Sequence, residues 1–193
     1  MTTLNLTGEL ERLIGDIAAR TPELNHVKPE KLLVCVSTGR AGRGGSLAKI
    51  HPLRFAGGER SVKARRGRRS VLCTMPSITH RGEEMLYVIY FLIPRFLELS
   101  FREKLITIFH ELYHISPACD GDIRRFPGRN YAHGSSTKSY NQKMGELADR
   151  YLEVLPDPSA LGFLEGNLAV LRSRHGAIVG RRLQAPRISV TPA

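Results

Sequence analysis

Acidic residues are in short supply: 18 Asp and Glu stand against 29 Lys and Arg, which leaves this 193-residue chain with a net charge of +11. The shortage is local. From Thr38 to Ser70 there are ten Lys or Arg and a single acid, Glu59, a net of +9, densest at Arg65-Arg66-Gly67-Arg68-Arg69. Aromatic residues are missing from the same stretch apart from Phe55, so base stacking has almost no platform there. Phosphate neutralisation remains, which makes Arg65, Arg66, Arg68 and Arg69 candidate contacts for nucleic acid bound without sequence preference. A solvated hairpin tip would carry the same charge for solubility alone.

Cysteine is also sparse. Cys35, Cys73 and Cys119 are odd in number and lack C-x-x-C spacing, which excludes a disulfide framework and predicts reduced thiols in a cytoplasmic setting, filling space like small apolar side chains. No apolar run reaches the length of a membrane span, and no h-region follows Met1, so neither membrane insertion nor standard export is expected. Internal repeats are absent. At 41 % hydrophobic residues the chain suffices for one globular domain with its own core.

One motif is present in outline but lacks its chemistry. Gly39-Arg40-Ala41-Gly42-Arg43-Gly44-Gly45-Ser46 has the spacing of the phosphate loop G-x-x-x-x-G-K-[ST], yet Gly45 stands where the lysine belongs. Nothing then reaches the terminal phosphates, and a flexible connection between strands is the better reading.

What the chain does contain is His110-Glu111-Leu112-Tyr113-His114, an HExxH pentapeptide inside a long apolar run. Two His four residues apart lie on one helical face and can reach one metal ion, with the intervening Glu beside it to take a proton from water. Five letters recur by chance, so the context must carry the weight. Ser100-Phe101-Arg102-Glu103 is a capping-box pattern, and Pro117 closes the segment. Wound at about 100° per residue, Leu105, Ile108, Phe109, Leu112 and Ile115 gather on one side with His110 and His114 roughly opposite. Ile106 and Tyr113 flank the His face, so the polar groups sit on a largely buried helix and need partners.

A third ligand must come from beyond the motif. The extended pattern H-E-x-x-H-x-x-G-x-x-H fails, because position 117 is Pro and position 120 is Asp. His133 follows a turn-rich interval from Ile115 to Ala132 that reads as a loop returning the chain to the metal, and it stands at the entrance of a helix expected from Ser135 to Leu155. Asp120 and Asp122 stay open as carboxylate ligands. Glu146 falls about 130° from that helix's core face of Tyr140, Met144, Leu147, Ala148, Tyr151 and Leu155, and is read as solvated.

The run from Ile93 through His110–Ile115 to Gly121-Asp122-Ile123-Arg124-Arg125-Phe126-Pro127-Gly128-Arg129-Asn130-Tyr131-Ala132-His133-Gly134 resembles the putative phage metallopeptidase family of phage and prophage genomes. The order HExxH, loop, His-Gly, amphipathic helix is also similar to SprT-like zinc proteases. The resemblance covers about residues 90 to 152. It implies one zinc ion on His110, His114 and His133, Glu111 as the catalytic carboxylate, and a peptide or protein substrate. Tyr131, two residues before the third ligand, is a candidate to steady the oxyanion. No cysteine follows Cys119, so the zinc ribbon that SprT-like proteins often add has no counterpart here.

The remaining elements are a helix marked by Leu6, Leu10, Leu13, Ile14 and Ile17, which stops near Thr21-Pro22, and strands at 31–37, 47–55, 70–75 and 84–93. A short helix at 161–174 and a strand at 177–183 precede a proline-containing tail. The expected architecture is α+β, a minimal zincin-like fold: a small mixed sheet packed against the HExxH helix and the amphipathic helix after it. Residues 1–160 would form the domain, with a basic Gly/Arg-rich loop at 38–70. Residues 161–193 would be an extension, packed on the domain or partly mobile. The alternative role is a non-catalytic phage protein, stabilised by zinc and binding nucleic acid through its basic segment.

Overall fold

The computed structural model describes residues 2–38, 45–127, 131–133 and 136–193. Along the chain run β1 (Thr2–Asn5), α1 (Leu6–Arg20), β2 (Leu32–Thr38), β3 (Ala48–Pro52), β4 (Ser61–Arg66), β5 (Arg69–Thr74), β6 (Thr79–His80), β7 (Glu83–Glu84), β8 (Tyr87–Ile93), α2 (Phe101–Tyr113), α3 (Thr137–Val154), α4 (Leu168–Arg174), β9 (His175–Val179) and β10 (Ser189–Pro192). The class is α+β.

The central sheet has the order β2-β8-β3, with β2 parallel and β3 antiparallel to β8. Its strands β2 and β8 read as apolar runs because both faces are covered. Leu32, Val34, Tyr87, Ile89 and Phe91 face the main core with the helices, whereas Leu33, Cys35, Val88 and Tyr90 join Leu53 and Met85 in a smaller core behind. Cys35 is buried in β2, Cys119 is buried in a loop, and all three cysteines are free thiols. No helix among the described residues is long and apolar enough to cross a membrane.

Helix α1 lays Leu6, Leu10, Leu13, Ile14 and Ile17 into the main core at three- and four-residue steps. Asn5 starts it by accepting from the Gly8 N–H at 3.1 Å, and the extended Thr21 ends it before Pro22. Helix α2 opens on a complete capping box: the Ser100 N–H donates to Glu103 at 2.9 Å, and the Glu103 N–H donates back to the Ser100 hydroxyl at 3.3 Å. It ends at Tyr113, short of Pro117, with His114 as its C-cap in helical dihedrals.

Several elements depart from expectation. The strand expected at 84–93 divides, because Glu83–Glu84 pairs with β6 while the long strand begins at Tyr87. The segment at 161–174 is a 3-10 helix over Pro158–Leu164 followed by α4. Strand β1 lies outside the expected set, and its parallel partner β9 begins two residues before the strand expected at 177–183 and ends at Val179. Among its described residues the basic segment holds β3, in the central sheet, and β4, which with β5, begun at Arg69, forms a second sheet in the order β10-β5-β4. Of the Gly39–Ser46 segment, residues 39–44 lie outside the described residues; Gly45 has φ +122°.

The C-terminal segment is tied to the rest in three ways. Leu161, Phe163, Leu164 and Leu171 enter the main core, β9 pairs with β1, and Lys104 of α2, wholly buried, donates to the carbonyls of Leu164 at 2.8 Å and Gly166 at 2.5 Å.

Candidate metal centre

Helix α2 divides its surface between two tasks. Leu105, Ile108, Phe109 and Leu112 are at most 1 % exposed and anchor it in the core, with Phe109 against Tyr151 of α3 at 5.9 Å between ring centroids. His110 and His114 emerge on the side facing α3, one turn apart, with ring centroids 4.8 Å from each other. His133 comes back from the loop to meet them, 5.1 Å from His110 and 5.0 Å from His114. Its Nε2 is 3.2 Å from Nε2 of His110, and one ring nitrogen from each residue lies within 4.8 Å of the other two.

That spacing fits a metal. Nitrogens at the usual zinc–nitrogen distance on adjacent corners of a tetrahedron are about 3.3 Å apart. Three converging nitrogens on partly buried rings would otherwise be a poorly satisfied polar cluster. Burial first, then the other two histidines and Arg124, push the His114 imidazole down to about 3; burial, with His133 adding to it, also lowers His110. Both rings are therefore held neutral, the form that ligates. His110 is steered further, since its Nδ1 lies 3.0 Å from Oδ1 of Asn141, leaving Nε2 turned towards His133. Tyr140 packs against all three rings, with centroids 4.8, 5.4 and 5.0 Å from His110, His114 and His133.

The loop that delivers His133 is pinned to the end of α2. The Arg124 N–H donates to the His114 carbonyl at 2.6 Å, its side chain donates to the Tyr113 carbonyl at 2.9 Å, and Ile115 bridges Ile123. The acidic alternatives are engaged elsewhere. Asp120 accepts from the Ser116 hydroxyl at 2.6 Å, Asp122 pairs with Arg125 at 2.9 Å, and Glu146 is exposed and accepts from Gln142. Among the described residues, the groups of His, Cys, Asp and Glu able to hold a metal come down to His110, His114 and His133.

Glu111 reaches the central sheet at Ile50 and shares a cavity with His110. It is 7 % exposed, and burial pushes its carboxyl up to about 7, with a backbone hydrogen bond from Ile50 of β3 opposing the rise. Beside it opens a cavity of about 380 Å³ in which His110 and Glu111 meet Leu47, Ala48, Leu99 and Ile106. Tyr131 is 51 % exposed, with its ring 5.6 Å from the Arg125 guanidinium; the described contacts do not join it to the histidines. Asn141 was not foreseen, although a polar residue directly after the core residue Tyr140 marks the edge of a buried face. Arg65, Arg66 and Arg69 belong to the second sheet and Arg68 to the turn between its strands, and none of them takes part in this centre.

No curated protein and no solved structure matches the chain, and the similarity to SprT-like proteases finds no counterpart in these comparisons. A family model described as putative phage metallopeptidase matches residues 4–143, a span containing the HExxH helix, the returning loop and Asn141. The chain belongs to that metallopeptidase family, and a metal ion and a peptide or protein substrate come with membership.

Proposed function

We propose that this protein is a zinc-dependent peptidase in which His110, His114 and His133 hold the metal and Glu111 is the general base. The observation that carries the proposal is the convergence of three ring nitrogens beside a buried carboxyl. An all-imidazole set of three suits zinc and leaves a position open. Zinc there would supply Lewis-acid polarisation of a carbonyl and an acidified water, and its charge would favour the ionised form of Glu111.

The chain's own residues do the rest. A carboxyl drawn towards neutral pKa by burial can take a proton from water and later return it to a leaving amine under the same conditions. The backbone contact with Ile50 fixes where that carboxyl points. Strand β3 is an outer strand of its sheet among the described residues, so an extended peptide can add alongside it and pass Glu111. Leu47, Leu99 and Ile106 then offer an apolar recess to one substrate side chain. Tyr131, exposed two residues before His133, is free to donate to a carbonyl oxygen as it gains charge. In this reading residues 1–160 are a minimal zincin-like domain and residues 161–193 its extension.

Glu111→Gln tests the proposal. The amide is nearly isosteric and is not a ligand, so zinc content and thermal melting should match wild type while cleavage of a labelled unfolded protein falls by ~10²–10⁴-fold. A hydroxamate should inhibit the wild type. Cleavage by the variant at the wild-type rate refutes the mechanism. If neither protein cleaves and the metal has four protein ligands, its role is to stabilise the fold.

A further inference from the structure

The second sheet, β10-β5-β4, is unusual in what it does not bury. None of its residues belongs to either apolar core, and its substantial packing is between its own strands. Strands β4 and β5 form a hairpin closed by Gly67-Arg68, with Gly67 at φ +63°, the first turn position at which a two-residue loop favours glycine. The pairing register sorts the side chains. Ser61, Lys63 and Arg65 share a face with Ser70, Leu72, Thr74, Ser189 and Thr191, and the Ser61 and Thr74 hydroxyls meet on it at 2.8 Å. The hairpin therefore presents two cations among a row of hydroxyls, with Arg66, Arg68 and Arg69 crowding its tip.

The placement of these cations works against the fold. Arg66 and Arg69 are direct cross-strand partners, and like charges opposite one another weaken a hairpin. Among the described residues, none of Lys63, Arg65, Arg66, Arg68 and Arg69 forms a salt bridge, although nine such pairs occur elsewhere. Protection of an outer strand from aggregation accounts for Lys63 and Arg65 on β4. It does not account for Arg69, because β5 is the central strand.

We infer that the β4–β5 hairpin is a binding arm for the phosphate backbone of double-stranded nucleic acid, independent of the metal centre. Arginine, lysine and hydroxyl side chains are the groups that contact phosphate oxygens. Neither hairpin strand nor β10 carries an aromatic residue, so the arm has nothing on which unpaired bases could stack, and a duplex read without sequence preference is the ligand it fits.

The test is fluorescence anisotropy of the full chain with mixed-sequence duplex DNA over a salt series. Five neutralised phosphates give a log–log salt slope of about −4.5, so affinity should fall ~500-fold between about 50 and 200 mM salt. Replacing Arg65, Arg66, Arg68 and Arg69 by Gln should bring the slope to about −1, whereas replacing the same four by Lys should retain most of it, which separates charge from folding damage. Scrambling the duplex should change nothing. The inference is overturned by no binding at the lowest salt, by a Gln variant with the wild-type slope, by tighter binding to the single strand than to the duplex, or by equal capture on equimolar phosphatidylcholine–phosphatidylserine vesicles.

Discussion

His110, His114 and His133 stand on a helix and a braced loop whose supports are buried almost completely, while Arg65, Arg66, Arg68 and Arg69 ride on a ribbon that buries almost nothing. In the first region neighbours brace the rings and the loop: Asn141 on His110, Tyr140 against all three rings, Arg124 on the end of α2. In the second, like charges face each other with no carboxylate between them. Under the two proposals the contrast separates two ways of holding a charged ligand. A small ion needs ligand atoms fixed to within fractions of an ångström, and so a core behind them. A polyphosphate surface needs density of charge and little else, so it can be met by an arm that contributes nothing to stability.

Substitutions under the two regions should therefore differ sharply. Phe109→Ala hollows out the platform beneath the histidines and should cost about 3–5 kcal/mol in urea unfolding. A loss below about 1 kcal/mol would mean that α2 is not the rigid base supposed here. Lys104→Met leaves the Leu164 and Gly166 carbonyls without their buried donor and should cost about 1–3 kcal/mol, with the C-terminal segment exchanging its amide hydrogens faster. Asn141→Ala frees the His110 ring to rotate and should lower metal affinity ~10–100-fold in a competition titration without shifting the melting of metal-free protein. The smallest effect belongs to the ribbon. Exchanging its four arginines for Gln should change unfolding free energy by no more than about 0.5 kcal/mol, and a larger loss would erase the contrast between the regions.

The two regions also differed in how legible they were in the sequence. The site was written locally: HExxH spacing, the Ser100–Glu103 box and the apolar stripe of α2 each depend on residues within a few turns, and the same periodicity marked the faces of α1 and α3. What escaped was set by distant partners. Thr2–Asn5 has one buried residue and becomes a strand through its pairing with His175–Val179, far along the chain. Ser61–Arg66 reads as solvated because its charges obscure the alternation that its register with β5 reveals. Lys104 is buried on account of two carbonyls some sixty residues away, which no local pattern announces. His133 could be singled out by its chemistry and its place before a helix, but its approach to His110 depends on how the loop is braced by Arg124.

The central claim is that three histidines from two separate parts of the chain hold one metal. Its most direct measurement is metal content by mass spectrometry of purified wild type beside His110→Ala, His114→Ala, His133→Ala, Asp120→Ala, Asp122→Ala and Glu146→Ala. The account predicts about one zinc per wild-type chain, a sharp loss in each histidine variant and near-full occupancy in the three carboxylate variants. Full zinc in His133→Ala together with loss in any of the carboxylate variants would contradict it.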